Sequence, residues 1–444
     1  MLRPPTFDTT THMLIHMLTH IRNESRARRR ATIVASTALA LAAMAACDLS
    51  DALHVDAPSR IPANELETPA NAVLLVNSAI GDFECAYGAY TAAGALIGEE
   101  SVDGVQTADR YPYDRRSTQA SDRRYSVNDC TSLGTYVPLQ TARVSAENVI
   151  DLLNRWTDAE VPNRQQLLAT ASAHAGYSLL MLGEGFCQAV ISSFDEAKNP
   201  VLGGIIGRDS VLKLADARFT DAITSADASI KNMALLGRAK ARQDLGRLAD
   251  ARTDAIQVPA AFERTITASS TPARRQNKVW ADGNVNSRGS LVGEPYRSMT
   301  DPRVRFVRTT NTTVTGIPVV YQTKYPDASS PIPFVTGDEA QFIVAEADLA
   351  AGNLTSAVTI INFFRNRAGL TPFASTSATA IKAELVEQRR REFFLEGQHL
   401  GDLIRYNITP QPAVGTAYHG SGVYGNQICL PLPDSERLNN PNAK

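Results

Sequence analysis

The chain has 444 residues, 43% apolar and 20% charged, with a formal net charge of −2. That length suffices for one large domain or two to three ordinary ones, and the composition excludes a disordered chain, a collagen and a disulfide miniprotein. So small a net charge leaves no basic footprint for nucleic acid.

The N-terminal segment reads as an address. Residues 22–30 are RNESRARRR, and residues 31–46, ATIVASTALALAAMAA, carry no charge. A basic stretch, a short apolar run and small residues before a cut form a secretory signal. The run is shorter than the ~20 residues of a membrane span. Its end, Met44-Ala45-Ala46-Cys47, resembles a bacterial lipobox, with Met44 where Leu is usual. The expected organisation is a lipoprotein signal peptide over 1–46, a lipidated tether over 47–62 that starts at Cys47, and one domain over 63–444. Met13 and Met17 are alternative starts. Loss of residues 1–46 removes six Arg and two acids, so the remainder is mildly acidic. No later stretch reaches eighteen apolar residues, so attachment to a membrane would come from acyl chains such as palmitate.

Four cysteines follow Cys47: Cys85, Cys130, Cys187 and Cys429. In an exported chain an even number suggests two disulfides, with three possible pairings. No two have C-x₂-C spacing, which argues against a metal site.

Apolar periodicity starts at Glu65-Leu66 and runs to Ile80, predicting a first helix. Further helical patterns lie near 141–157, 164–190, 211–227, 232–244 and 248–257, and again near 337–351, 355–368 and 378–406. Trp156 falls in one of them and reads as core. Residues 239–251, AKARQDLGRLADA, and 345–357, AEADLAAGNLTSA, share the pattern A-x-A-x₄-G-x-L-x₂-A. Small residues allow close helix approach, and Gly246 and Gly352 suit the left-handed end of a helix. This is the logic of tetratricopeptide hairpins, here separated by insertions. The stretches 100–136 and 258–336 read as long loops with a few short strands, and long loops on a helical scaffold usually carry function.

The last third carries a series of motifs. Gly337-Asp338-Glu339-Ala340-Gln341-Phe342-Ile343-Val344-Ala345-Glu346-Ala347 comes first, and Asn362-Phe363-Phe364-Arg365-Asn366-Arg367-Ala368-Gly369-Leu370 second. The third runs from Arg389 through Glu392, Glu396, Gly397, His399 and Asp402 to Arg405-Tyr406. The fourth is Leu430-Pro431-Leu432-Pro433 with Glu436 and Asn440-Pro441-Asn442. Asp301-Pro302-Arg303 and Lys324-Tyr325 precede them. In this order the series resembles the SusD/RagB family of outer-membrane nutrient-binding lipoproteins, most clearly over about 277–444. His399 and Tyr406 depart from the Arg and Trp usual in that family.

The resemblance implies a mostly α fold, a SusD-like superhelix of tetratricopeptide-like hairpins with long loops. It implies a surface lipoprotein facing the exterior that binds an oligosaccharide, or a peptide, and delivers it to a SusC-like TonB-dependent barrel. It implies no cofactor, metal or catalysis. Aromatic rings stack on sugar faces, so Trp280, Tyr296, Tyr321, Tyr325, Tyr111 and Tyr113 are the ligand-contact candidates. Arg389, Glu392, Glu396, Gly397, Asp402 and Arg405 form the structural motif, with Glu392 and Glu396 expected one turn apart on one helix. Two alternatives remain. One is a surface-anchored glycoside hydrolase using such paired acids, though adjacent Arg would depress their pKa. The other is a tetratricopeptide-type scaffold that binds proteins. The sequence has no H-E-x-x-H, G-x-S-x-G or P-loop pattern, and its later histidines, His54, His174, His399 and His419, are scattered.

Overall fold

A computed structural model describes residues 63–122, 125, 130–131, 133–285 and 289–444. The expected signal peptide, Cys47 and the tether lie outside the described residues. The chain divides into a unit over Met1–Glu65 and a unit over Leu66–Lys444.

Ten helices carry the scaffold of the second unit: α1 (Ala72–Ile97), α2 (Tyr136–Arg155), α3 (Arg164–Gly185), α4 (Arg208–Ala222), α5 (Ala228–Asp244), α6 (Leu248–Ala255), α7 (Gly337–Ala350), α8 (Leu354–Arg367), α9 (Ala378–Glu392) and α10 (His399–Arg405). From α1 to α9 each packs on the next in chain order, as in a helical solenoid. Helix α6 packs on α7 across the whole insertion that separates them in sequence. Asp227, Thr336 and Ser377 cap α5, α7 and α9, their side chains accepting from first-turn N–H groups.

Helix α1 runs seventeen residues past its expected end at Ile80. Every residue from Cys85 to Ile97 is buried, and a helix buried all round shows no apolar stripe to read. Helix α3 ends at Gly185, short of the expected 190, because Gln188–Val190 pairs as a strand with Ile205–Gly207. The two hairpins predicted from the repeated pattern form. They are α5–α6 and α7–α8, turning at Gly246 (φ 73°) and Gly352 (φ 83°). They are joined side by side by Gln243 Nε2 donating to Glu346 (2.7 Å) and Arg252 Nε donating to Asp348 (2.7 Å). Close approach elsewhere rests on missing side chains: Phe219 of α4 fills the space where a Cβ on Gly176 or Gly237 would stand, 2.8 and 2.3 Å from its ring.

The long loops hold short antiparallel pairs. Ser101–Asp103 pairs with Ser290–Val292, Glu263–Ile266 with Ile332–Thr336, and Phe306–Thr312 with Pro318–Gln322. The disulfides are Cys85–Cys130, which ties α1 to the first loop, and Cys187–Cys429, which ties the end of α3 to the C-terminal segment. Trp156 follows α2 and packs half-buried against Leu153 and its neighbours. Among the described residues no helix is long and apolar enough to cross a membrane.

One expectation is corrected. Residues 378–406 are not one helix. Helix α9 ends at Glu392, the chain turns through Phe393–Gln398, and α10 restarts at His399. Phe393, Phe394 and Leu395 are all buried. Leu395 (φ 60°) and Gly397 (φ 97°) make the turn. Glu392 and Glu396 therefore do not share a helix face.

Candidate functional site

The signature residues clasp this turn. Arg389 Nε and Nη2 donate to Asp402 at 2.9 and 3.1 Å, and Arg405 Nη2 donates to the same carboxylate at 2.7 Å. Burial alone would raise the Asp402 pKa, but the two guanidiniums hold it down to about 2. Arg405 and the Tyr406 hydroxyl both donate to Glu346, so Tyr406 keeps the network closed. Glu392 accepts from Arg303 (3.1 Å) and Arg367 (2.6 Å), and Glu396 from Lys324 (2.5 Å). Each acid of the pair considered for hydrolysis thus has its own cation. Lys324 and Tyr325 also donate to the carbonyls of Phe394 and Leu395, and Glu100 accepts from Leu395 N at 2.7 Å.

Through Glu100 the turn reaches a cleft. The Gly293 N–H donates to the Glu100 carbonyl at 2.9 Å, which fixes the wall 293–297. Its neighbour Glu99 lines a cleft of about 270 Å³ together with Val102, Asp114, Pro295, Arg297, Ile317, Ala417, His419 and Tyr424. The far wall, loop 411–425, is fastened by Arg116. That guanidinium donates to the carbonyls of Gly425 (3.1 Å), Gln411 (3.2 Å) and Pro412, and lies over the Tyr424 ring.

Polar groups of the cleft are fixed in turn. Asp114 Oδ2 accepts from Asp103 N (3.0 Å) and the Tyr418 hydroxyl (2.9 Å). Burial pushes Asp114 up to about 7, against these hydrogen bonds, and Asp103 up to about 6. His419 Nε2 lies 2.8 Å from the Asp103 carbonyl, so that nitrogen carries the proton and Nδ1 is the acceptor, 3.5 Å from the Tyr424 hydroxyl. Burial lowers the His419 pKa, which keeps the ring neutral. The arrangement offers fixed carboxyl, imidazole and guanidinium groups above an apolar floor, a binding site for a polar ligand with hydroxyls.

The aromatic candidates do not meet in this cleft. Tyr113, Tyr296 and Tyr325 are buried. Tyr113 donates to the Leu133 carbonyl (2.7 Å) and Tyr296 stacks on Phe394. These three are packing residues, out of reach of an external ligand, because each side chain points inward from its loop. Their sequence neighbours face the cleft instead: Asp114 beside Tyr113, and Pro295 and Arg297 on either side of Tyr296, line it. Tyr111 is half-buried under Arg115, Trp280 packs half-buried on the main core, and Tyr321 packs half-buried beside Val102 and Val319. Sequence reasoning missed Asp114, Arg297, Tyr418, His419 and Tyr424. The Gly-rich run GTAYHGSGVYG over 415–425, a loop placing three rings between two motif blocks, was the available signal. Among the described residues no group of His, Cys, Asp and Glu is placed to hold a metal.

Residues 339–441 match the SusD family. No curated protein matches the chain in sequence. Several solved structures are similar to it. A SusD superfamily protein from Parabacteroides distasonis has a TM-score of 0.68 at 13% identity, covering 87% of this chain and 99% of that one. One from Bacteroides vulgatus has 0.64 at 14%, covering 85% and 98%. Surface glycan-binding protein A from Bacteroides uniformis has 0.64 at 15%, covering 83% and 98%. The C-terminal quarter of the chain thus matches the SusD family, and the chain has the fold of these SusD superfamily structures.

Proposed function

We propose that the chain is an outer-membrane lipoprotein, anchored through Cys47 and facing the exterior, that binds a nutrient oligosaccharide in the cleft between Glu99 and Tyr424 and delivers it to a SusC-like TonB-dependent barrel. Binding, without turnover, is its chemistry.

The observation that carries this reading is the link between the SusD-family turn and the cleft. Glu100 accepts from the turn at Leu395 N and holds the cleft wall at Gly293, so the family's signature residues shape a ligand site. The similar surface glycan-binding protein of Bacteroides uniformis supports a glycan as ligand. The sixteen-residue apolar run before Cys47 supports export and lipidation.

The test is an oligosaccharide array, followed by calorimetric titration of each binder. Ala417 is exposed and lines the cleft, so Ala417→Trp fills the cleft without disturbing the core. Binding by the native protein and its loss in Ala417→Trp, at unchanged melting temperature, is the expected result. Binding that survives Ala417→Trp contradicts the site.

A further inference from the structure

Resting on that reading of the cleft, we propose that it selects uncharged oligosaccharides and turns away acidic ones, such as those bearing uronate or sulfate.

Charge and donor supply set this preference. Three carboxyl groups, Glu99, Asp114 and Glu294, line the cleft against one guanidinium, Arg297. That guanidinium is engaged by Glu294 three residues before it, which leaves Glu99 without a lining cation, while burial holds Asp114 up at about 7. The imidazole of His419 donates from Nε2 to the Asp103 carbonyl, and its Nδ1 lies 3.5 Å from the Tyr424 hydroxyl, so it offers no cation. Arg116, whose charge acts on Glu99 and Asp114 from behind loop 411–425, is committed to three backbone carbonyls and does not line the cleft. Arg308 is likewise engaged, donating to the Arg297 carbonyl.

The carboxylates of Glu99 and Glu294 accept hydrogen bonds and cannot donate them, whereas Asp114 keeps its proton below about pH 7. A ligand that supplies donors, as the hydroxyls of a neutral sugar do, therefore suits Glu99 and Glu294. A uronate or sulfate brings acceptor oxygens and a second negative charge into a half-enclosed space, where like charges repel more strongly than in bulk water. Val102, Pro295, Ile317 and Pro412 give the apolar faces of a neutral ring a surface to rest on.

The test uses matched oligosaccharide pairs that differ only in one carboxylate or sulfate, titrated into native protein, Glu294→Gln and Ala417→Trp. The neutral member should bind at least about tenfold more tightly than its acidic partner. Glu294→Gln, which releases Arg297, should narrow that gap, and Ala417→Trp should abolish binding of the neutral member. Equal or tighter binding of the acidic member, at a site that Ala417→Trp blocks, overturns the selectivity and leaves the cleft as the ligand site. Neutral-ligand binding that survives Ala417→Trp overturns the cleft reading, and the selectivity with it.

Discussion

Arg389 and Asp402 are joined by two hydrogen bonds, 2.9 and 3.1 Å long, with both side chains buried. The pair closes the turn between α9 and α10 from opposite sides. A buried charge left without its partner costs several kcal/mol. Arg389→Ala should therefore destabilise the fold by roughly 3–5 kcal/mol in urea unfolding. A loss under 1 kcal/mol would show that the turn is held by its other clasps alone.

The same pair sets an acid limit. Asp402 sits at about 2 in the folded chain, below its ordinary value near 4. A depressed folded pKa gives stability that is present above the unfolded value and lost as pH falls through the folded one. The contribution, on the order of 2 kcal/mol, should disappear between about pH 4 and 2. The difference in stability between native protein and Asp402→Asn, measured across that range, should shrink as pH falls.

Asp114 has the opposite sign. Burial raises it to about 7, so the folded state holds its proton more tightly than the unfolded chain does. Its contribution is full below about pH 4 and is lost as pH rises through about 7. Asp103, Arg116, Tyr418 and His419 face it. Asp114→Asn keeps an oxygen to accept from Tyr418, and should flatten the decline in stability expected of the native protein between pH 5 and 8. An unchanged slope would assign that decline to other buried acids.

Phe219 makes a packing prediction. A Cβ at Gly237 would stand 2.3 Å from its ring, and overpacking of this kind costs about 1–3 kcal/mol. Gly237→Ala should lower stability by that amount, and Phe219→Leu in the same chain should recover part of it. Additive losses would mean the two residues do not compete for space.

Of the two disulfides, Cys187–Cys429 spans 242 residues and Cys85–Cys130 spans 45. In the loop-entropy account the longer bridge restrains the unfolded chain more, by about 5 against about 4 kcal/mol. Cys187→Ser/Cys429→Ser should thus be the more damaging double substitution in thermal unfolding.

The hairpins were legible because Gly246 and Gly352 mark turns that an L side chain rarely makes, and because the alanines before them repeat at matching spacing. The inner half of α1 was not, since burial on every side erases periodicity. The break after Glu392 was hidden as well: RREFFLEG reads as helix, and the left-handed backbone at Leu395 that starts the turn falls on a residue that rarely adopts it. The structural motif was visible in sequence, with its acids assigned to the wrong common face. The cleft was less visible, because its residues come from five separate segments and the aromatic neighbours at 113 and 296 turn inward. Alternation along a loop decides which of two adjacent residues meets solvent, and composition alone carries no such information.

The most direct test of delivery to a transporter is a pull-down from solubilised outer membrane with the tagged full-length chain. The native protein should partition with the outer membrane and bring down a large TonB-dependent barrel, and Cys47→Ser should appear in the soluble fraction. A native protein that reaches the outer membrane and brings down no barrel would contradict that role.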